Sequence, residues 1–132
     1  MIEPIPKVLL PGRAVQLSQV ILNLLNNSFD AMETVEDKFV EIKFIKTQTH
    51  FSILISDSGP GIPGDIASRI FNPFFTTKEV GKGTGLGLSI AKGIIEDHQG
   101  ELSLHQGGAR TTFEIKLPLI RKVSAPPSKL AA

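Results

Sequence analysis

The chain contains no cysteine among its 132 residues. This absence excludes disulfide bonds and a thiolate zinc site, and it suits a reducing compartment. Long apolar runs are also missing, because no stretch reaches the roughly 18 residues that a membrane-spanning helix needs. The N-terminus has no signal-peptide pattern either. We therefore expect this domain to be cytoplasmic, while a parent protein could still be anchored in a membrane.

The chain also has no marked excess of positive or negative charge. Fourteen Lys and Arg residues face 13 Asp and Glu residues, which leaves a net charge of +1, and no basic cluster occurs. A nucleic-acid binder that works through a broad electrostatic footprint is therefore not expected. With 41% apolar residues the composition is that of an ordinary globular chain, and 132 residues suit a single domain. No internal repeat is present.

Hydrophobic periodicity predicts an alternation of helices and strands. Helices are expected over about residues 13–32, 65–70 and 84–99, and strands over about 7–10, 39–46, 51–57, 101–105 and 111–117. Gly100 is placed to end the last helix in the C′ position. The stretch from 72 to 83 has no clear period and is expected to form a lid. We expect residues 1–118 to form the domain and 119–132 to be a disordered tail or linker.

A glycine-rich segment precedes the last predicted helix. Residues 81–87 read Gly-Lys-Gly-Thr-Gly-Leu-Gly, and an apolar run begins at Leu88. Glycine lets backbone amides come close to an anion, and a helix N-terminus offers unpaired N–H groups at the positive end of its dipole. This combination is typical of a phosphate-binding loop. Taken alone, it is equally compatible with a flexible loop.

The first predicted helix carries a polar stripe. At 100° per residue, five side chains lie within an arc of about 100° while the apolar residues point elsewhere: Gln19, Asn23, Asn26, Asn27 and Asp30. Asparagine is a poor helix former, and a solvated face is normally built from Lys and Glu. Asn and Asp oxygens are suitable Mg²⁺ ligands, although Asn23 or Asn26 could instead cap a neighbouring loop.

A third pattern follows the strand-like run that begins at Phe51. The segment Asp57-Ser-Gly59-Pro-Gly61 places a carboxylate at the end of a buried strand, before a Gly-x-Gly turn. Such a carboxylate can accept a hydrogen bond from an exocyclic amine like that of adenine. A plain Asp-Ser-Gly turn is the alternative.

Together these patterns resemble the nucleotide-binding domain shared by sensor histidine kinases, DNA gyrase, the MutL repair proteins and the heat-shock chaperone ATPases. The kinase branch is the most similar. Residues 23–31 resemble its N box, 57–61 its first glycine box, 70–78 its F box and 83–88 its second glycine box. The resemblance runs from about residue 4 to 118. It implies an α/β (α+β) two-layer sandwich of the Bergerat type, with a mixed sheet of about five strands packed against three helices.

The resemblance implies ATP and Mg²⁺ as cofactors, and it implies roles for the N-box residues. Asn27 corresponds to the family's Mg²⁺ ligand, Asn23 supports the same face one turn earlier, and Asp30 lies toward the sugar or the phosphates. The ATP-hydrolysing relatives carry a glutamate at the position of Asn23, where it activates water. An amide cannot act as a general base, whereas phosphoryl transfer needs mainly positioning and charge neutralisation. The resemblance therefore indicates a protein-histidine kinase rather than a stand-alone ATPase.

The remaining nucleotide contacts are implied by the other boxes. Asp57 corresponds to the residue that recognises adenine, and Gly59 and Gly61 shape the pocket floor. Thr111 falls where the family often has a threonine near that Asp, although Arg110 precedes it in place of the usual glycine. The phosphate-side candidates lie in the lid and the second glycine box: Lys78, Lys82, Gly83, Thr84, Gly85, Leu86 and Gly87. The two lysines could equally be solvated. Phe71, Phe74 and Phe75 are expected to anchor the lid, or simply to pack in the core.

The phosphate acceptor is the part that this sequence lacks. Of His50, His98 and His105, only His98 has adjacent acidic residues, and it closes a predicted helix, where a cationic ring is favoured by the dipole. The resemblance implies an acceptor histidine on a separate dimerisation domain, with a response regulator receiver domain downstream. We expect no catalytic residue in this chain, a monomer in isolation and little turnover. An ATP-dependent conformational switch, or an anti-sigma-type kinase module, is the alternative.

Overall fold

The computed structural model describes residues 12–73, 75, 87–105 and 110–119. The elements, in chain order, are α1 (Ala14–Ala31), β1 (Val40–Lys46), β2 (His50–Asp57), α2 (Gly64–Ala67), α3 (Gly87–Asp97), β3 (Glu101–His105) and β4 (Thr111–Pro118). The helix α2 stops short of the expected residue 70 and continues as hydrogen-bonded turns. The expected edge strand at 7–10, most of the lid and the tail from 120 onward lie outside the described residues.

The described strands form one sheet in the order β1-β2-β4-β3, and each neighbouring pair is antiparallel. Short connections join β1 to β2 and β3 to β4, which is the arrangement that two hairpins impose. Both predicted hairpins are therefore confirmed. The mixed sheet of about five strands is present only as four antiparallel strands, because the fifth expected strand, at 7–10, lies outside the described residues.

The hydrophobic core lies between one face of this sheet and the helices α1 and α3. Every second residue of β4 from Thr111 to Leu117 is buried, as expected for a strand with one face against helices. The core cluster consists of Val20, Leu24, Ile55, Ile70, Ala91, Ile95, Leu102, Phe113, Ile115 and Leu117. Complete burial of a side chain such as that of Leu24 contributes roughly 1.5–3 kcal/mol. The predicted two-layer sandwich is confirmed.

The helix α3 ends in a Schellman motif whose left-handed residue is Gln99, with a φ of 64°. The Gln99 N–H donates to Glu96 O at 3.0 Å, and the Gly100 N–H donates to Ile95 O at 2.9 Å. The expectation that Gly100 occupies the C′ position is therefore wrong by one residue. Glycine is needed at 100 for a different reason, because a side chain there would collide with the carbonyl oxygen of Lys116 in β4.

His98 joins the end of α3 to the start of α1. Its side chain is 5% exposed. Its Nε2 accepts a hydrogen bond from the Arg13 N–H at 3.0 Å, and its Nδ1 lies 2.7 Å from Ile94 O. Because a backbone N–H can only donate, Nε2 is unprotonated and Nδ1 carries the proton. A neutral ring therefore occupies this helix end, and the cation expected from the helix dipole does not.

The helix α1 is 18 residues long and has no side-chain cap at Arg13. The imidazole of His98 therefore satisfies a backbone donor at a helix start that lacks a local cap. Among the described residues, no helix combines the length and the apolar character needed to cross a membrane.

Candidate functional site

The polar stripe of α1 meets the beginning of α3. Asn23 Nδ2 donates a hydrogen bond to Gly87 O at 3.1 Å, although the two residues are far apart in sequence. Asn23 and Asn27 are half-buried, whereas Gln19 and Asn26 are exposed. The structure thus separates the stripe into a half-buried pair and an exposed pair, and Asn23 of the half-buried pair contacts Gly87.

The hydrogen bond to Gly87 also answers a question that the sequence left open for Asn23. Its amide contacts Gly87, which is both the last residue of the predicted phosphate-binding segment and the first residue of α3. Asn23 therefore positions the start of α3 relative to α1. The rest of the glycine-rich segment, Gly83–Leu86, lies outside the described residues, as do Lys78 and Lys82.

Asp57 is buried at the end of β2, with 1% of its surface exposed. Its Oδ1 accepts a hydrogen bond from the Gly59 N–H at 2.8 Å, which is an Asx turn. Within the described part of the chain, the other carboxyl oxygen, Oδ2, has no hydrogen-bond partner. A buried carboxyl that uses one oxygen locally can still accept a hydrogen bond from a ligand N–H with the second.

Two glycines shape the turn after Asp57. A Cβ on Gly59 would lie 2.8 Å from Asp57 Oδ1 and 3.1 Å from Ala31 O, so only glycine permits this approach between the turn and the end of α1. Gly61 has a φ of 87°, a left-handed conformation that side chains disfavour. Gly59 therefore allows the turn after Asp57 to lie against the C-terminal turn of α1.

Ser28 is a buried polar residue that the sequence analysis missed. It is 1% exposed, and its Oγ is the one buried side-chain polar atom without a hydrogen-bond partner among the described residues. An orphaned buried hydroxyl costs about 1–3 kcal/mol, so such groups are rare and call for an explanation. A signal was available: Ser28 follows Leu24 by one helical turn and Val20 by two, which places it on the buried face.

The structure places Thr111 beside Asp57, because the two residues are register partners in the β2–β4 pair. Thr111 is 5% exposed. The side chain of Arg110 turns away, with Nη1 3.4 Å from Glu41 Oε1 and the guanidinium 4.6 Å from the Phe39 ring centroid. Arg110 thus makes its contacts with Glu41 and Phe39, while Thr111 pairs with Asp57.

The F box packs on the core at both of its described phenylalanines. Phe71 makes an edge-to-face contact with Phe113, with ring centroids 6.2 Å apart, and Lys92 Nζ lies 5.0 Å from the Phe71 ring centroid. Phe75 packs against the same core cluster, while Phe74 lies outside the described residues. Phe71 and Phe75 thus pack on the core, which is compatible with both expectations, an anchor of the predicted lid or simple core packing.

Two other features of the described residues concern possible ligand sites. Among the described residues, no three His, Cys, Asp or Glu side chains come together as a metal site. A cavity of about 480 Å³ lies between α2, α3 and β3, where Ser68, Phe71, Lys92 and Leu104 contribute to its wall. It contains none of the candidate nucleotide-binding residues. Asp30 is exposed on α1, toward the same side as Asn27.

The sequence of this chain matches the profile of a known protein family. The profile described as "Histidine kinase-, DNA gyrase B-, and HSP90-like ATPase" matches residues 12–121. The chain belongs to this family.

Curated relatives narrow the assignment within the family. The chain is 36% identical over 106 residues to the C4-dicarboxylate transport sensor protein DctB of Rhizobium meliloti, and 43% identical over 105 residues to sporulation kinase E of Bacillus subtilis. It is 38% identical over 122 residues to the sensory histidine kinase/phosphatase NtrB of Rhodobacter capsulatus. These alignments cover 79–84% of this chain but only 14–34% of the relatives. The chain thus spans one part of much longer proteins.

Solved structures of histidine kinases are similar to this chain as well. The catalytic domain of histidine kinase ThkA in a nucleotide-free form superimposes with a TM-score of 0.71 at 36% identity, covering 82% of this chain and 70% of that one. The mycobacterial sensor histidine kinase MprB gives a TM-score of 0.73 at 27% identity, with 83% and 76% covered. The chain is therefore an ATP-binding catalytic domain of the sensor histidine kinase type, and the predicted fold and family are confirmed.

Proposed function

We propose that this domain binds Mg-ATP and transfers the γ-phosphoryl group to a histidine on a separate dimerisation domain of a longer parent kinase. The observation that carries the proposal is the hydrogen bond from Asn23 to Gly87. It joins the N box to the second glycine box, two motifs that are separate in sequence and that must meet to hold one nucleotide.

The residues at the end of β2 have the chemistry to bind the adenine of ATP. The Oδ2 of Asp57 lacks a partner within the described ranges and can accept a hydrogen bond from the exocyclic amine, while Thr111 lies beside it. The orphaned hydroxyl of Ser28 belongs to the same end of α1. An available carboxylate acceptor and an unpaired buried hydroxyl are groups that a polar ligand would complete. Gly59 and Gly61 would form the floor of this pocket.

The polar residues of α1 and the glycine-rich segment have the chemistry to bind the phosphates. We assign Asn27 as the Mg²⁺ ligand, with Asn23 positioning Gly87 and with Asp30 toward the sugar or the phosphates. The backbone amides of Gly83, Thr84, Gly85, Leu86 and Gly87 would cradle the phosphates, and Lys78 and Lys82 would add positive charge. When bound, Mg²⁺ neutralises phosphate charge and the nucleotide supplies the phosphoryl group.

The amide of Asn23 supports phosphoryl transfer over hydrolysis as the reaction of this domain. Asn23 donates its Nδ2 hydrogen to Gly87 O and has no basic group with which to activate water. The attacking group therefore comes from outside, as an imidazole nitrogen that forms the new N–P bond while the bond to the β-phosphate oxygen breaks. We propose a response regulator receiver domain as the next acceptor. Because ATP and such regulators are found in the cytoplasm, we propose that the domain works there.

Phosphotransfer is tested by mixing the chain with the dimerisation domain of its parent kinase and γ-labelled ATP. We expect label on the dimerisation domain that is stable in base and labile in acid, as phosphohistidine is. A dimerisation domain with its histidine replaced by glutamine is the control and should stay unlabelled. If the histidine remains unlabelled, and a partner instead binds only when ATP is present, the chain is a conformational switch and the kinase proposal is wrong.

Adenine recognition is tested with Asp57→Asn. Losing a charged acceptor should cost about 1.5–3 kcal/mol toward ATP, so the preference for ATP over GTP should fall roughly tenfold or more. Calorimetric titration with both nucleotides measures this ratio. Asp37→Asn, in the exposed turn after α1, is the matched control and should keep the wild-type ratio. An unchanged ratio in Asp57→Asn would remove this residue from the pocket.

A further inference from the structure

The strand β1 is an edge of the described sheet. It pairs with β2 along one side, and among the described residues no strand pairs with its other side. Three large apolar side chains that the domain exposes lie on this strand or directly before it: Phe39, Ile42 and Ile45, at 43%, 42% and 49% exposure. An exposed edge with apolar side chains is a template for pairing with another strand.

The hydrogen bonds between β1 and β2 show which backbone groups point to the open side. The Ser58 N–H donates to Phe39 O at 3.1 Å, and the Thr47 N–H donates to His50 O at 2.9 Å. The odd-numbered residues of β1 therefore direct their N–H and C=O groups toward β2, since these groups alternate along an antiparallel strand. The groups that point to the open side belong to the even-numbered residues Val40, Ile42 and Phe44.

A second copy of β1 can meet this open side in an antiparallel register centred on Ile42. In this register each Glu41 lies opposite Lys43 of the other copy, so two pairs of opposite charge form across a two-fold axis. The outward backbone groups also face one another, and the opposed residues 40, 42 and 44 would exchange about six N–H···O bonds. The remaining opposed pairs are apolar: Val40 with Phe44, and Phe39 with Ile45.

The charges of β1 select this register over its neighbours. A shift that keeps the outward backbone groups opposed moves the centre by one residue, to Glu41 or to Lys43. The first shift places Glu41 opposite Glu41, and the second places Lys43 opposite Lys43. Like charges directly opposite each other are destabilising. Lysine on an edge strand normally prevents pairing, but here Glu41, two residues earlier, supplies its counter-charge.

The existing contacts of Glu41 leave its carboxylate available to a second copy. Its Oε1 lies 3.8 Å from Lys43 Nζ and 3.4 Å from Arg110 Nη1. The three side chains are 44%, 64% and 46% exposed, respectively. Exposed ion pairs of this kind contribute little to stability, so Lys43 of another copy can replace the contact within the strand at small cost.

We propose that two copies of this domain pair through the open edges of β1 around a two-fold axis, which joins their sheets into one continuous sheet. A contact of one strand from each copy is smaller than a standard interface, so we expect a dissociation constant on the order of 0.1 mM. The expected monomer is then the state of the dilute chain. The candidate nucleotide-binding residues lie outside β1, so the pairing does not depend on the reaction that the domain performs.

A longer parent chain would strengthen the contact. If a dimerisation domain joins two parent chains, as the proposed function requires, it holds the two copies at roughly millimolar effective concentration. That exceeds the expected dissociation constant, so the pair would form within the parent dimer. This step alone rests on the proposed function, and the experiments below use the 132-residue chain without nucleotide.

Charge reversal tests the pairing, with self-association measured by sedimentation from about 10 µM to 1 mM. Glu41→Lys and Lys43→Glu each place like charges at both contacts and should weaken self-association roughly tenfold. An equimolar mixture of the two variants restores opposite charges at both contacts and should associate as tightly as wild type. Glu101→Lys makes the same change in β3, the other edge of the described sheet, and as the matched control should change nothing.

Two results of this experiment would overturn the proposal. One is a wild-type chain that stays monomeric over the whole concentration range. The other is a mixture of the two variants that associates no better than either variant alone, because the charges would then not face each other. A loss of folding in one variant is distinguished by urea unfolding, and the mixture is then replaced by the double variant Glu41→Lys/Lys43→Glu, which should pair as wild type does.

The absence of cysteine from the chain allows the register to be tested directly. Ile42→Cys places two thiols opposite each other at the two-fold axis, with Cα atoms about 5.5 Å apart, so a short bifunctional maleimide should join the two chains. Ile45→Cys, at a similarly exposed position, is the control and should not be joined, because it lies opposite Phe39. Equal linking of both variants contradicts the register. If another segment of the same chain covers the edge, neither variant is linked and the proposal is wrong.

Discussion

The two ends of α1 are stabilised in opposite ways. At the N-terminal end, Arg13 lacks a side-chain cap, but its N–H is bound to the buried ring of His98. At the C-terminal end, the Oγ of Ser28 has no partner within the described ranges, and Gly59 brings the turn after Asp57 against Ala31. One end thus has its backbone donor satisfied by a distant residue, while the other keeps a buried hydroxyl unpaired among the described residues.

Under the proposed function, this difference predicts which end of α1 is structural and which end binds the ligand. A buried polar group without a partner is unfavourable for the free domain, and functional sites are where such local costs are tolerated. The end near His98 holds the point where the chain enters the domain, and changes there should alter stability. The end near Asn27 and Ser28 should respond mainly through ligand binding. Four substitutions test this separation.

The largest effect is expected for Asn27→Ala at the functional end. Loss of the proposed Mg²⁺ ligand should weaken Mg-ATP binding by more than about 100-fold, since removing even an outer-shell partner commonly costs 10–100-fold. The free energy of unfolding should stay within about 0.5 kcal/mol of wild type. Calorimetric titration and urea unfolding measure the two quantities. Asn26→Ala, the exposed neighbour, is the control, and equal affinity losses in both variants would contradict the assignment of Asn27.

The next largest effect is expected for His98→Leu at the structural end. Without its acceptor the Arg13 N–H is left unpaired, so the free energy of unfolding should fall by about 1–2 kcal/mol. Hydrogen exchange at Arg13 should speed up, while the affinity for Mg-ATP should change little. His98→Gln can place an oxygen near the position of Nε2 and should recover part of the loss. If ATP affinity falls as much as stability does, the two ends of α1 are not separable.

A smaller effect of opposite sign is expected for Ser28→Ala. Removing an unpaired buried hydroxyl should raise the free energy of unfolding of the nucleotide-free domain by up to about 1 kcal/mol. Because alanine also favours helix formation, Ser18→Ala on the exposed side of α1 serves as the reference. Urea unfolding of the two variants isolates the contribution of burial. A Ser28→Ala variant less stable than Ser18→Ala would show that the hydroxyl is paired in solution.

The smallest effect is expected for Glu114→Gln in β4, which belongs to neither end of α1. A hydrogen bond from the Ser52 side chain lowers the pKa of Glu114 below its ordinary 4.5, and although partial burial opposes the shift, His105 and Lys116 lower the pKa further. A lowered pKa adds stability that is present above 4.5 and is lost as the pH falls through the folded-state value. Glu114→Gln should remove this pH-dependent part, below about 1 kcal/mol after solvent screening.

Urea unfolding at pH 6 and at about pH 3 measures this contribution, with Glu36→Gln in the exposed turn as the control. We expect the Glu114→Gln variant to lose stability relative to wild type at the higher pH and to converge with it at the lower one. Neither Mg-ATP affinity nor hydrogen exchange at Arg13 should change. A constant stability difference at both pH values would mean that the ionised form of Glu114 contributes nothing.

Most of the fold could be predicted from the sequence because strands and helices bury side chains at different periods. The alternation at Val40, Ile42 and Phe44 places β1 within one residue, and the turn residues separate the hairpins correctly. The single-residue error at Gly100 has a clear cause. The left-handed position falls on Gln99 because Gly100 is required by a close approach of β4, and periodicity within α3 carries no information about β4.

The candidate site could be predicted in outline but not in its contacts. Short motifs fix residue types at set spacings, so Asn27, Asp57 and the glycine boxes were recognisable without coordinates. The partner of Asn23 was not, because Gly87 is brought to it only by the packing of α1 against α3. The orphaned hydroxyl of Ser28 and the neutral ring of His98 are equally invisible in the sequence, since each is defined by atoms from distant segments.

The sequence by itself determined the family, the order of helices and strands, and the residue types that can meet a nucleotide, because these depend on local spacing and side-chain chemistry. Only the tertiary structure decided which of those groups are already paired and which are left available. Pairing depends on distances between segments that the chain brings together by folding. For this reason Asn23 and His98 are structural contacts, while Ser28 and the second oxygen of Asp57 remain open to a ligand among the described residues.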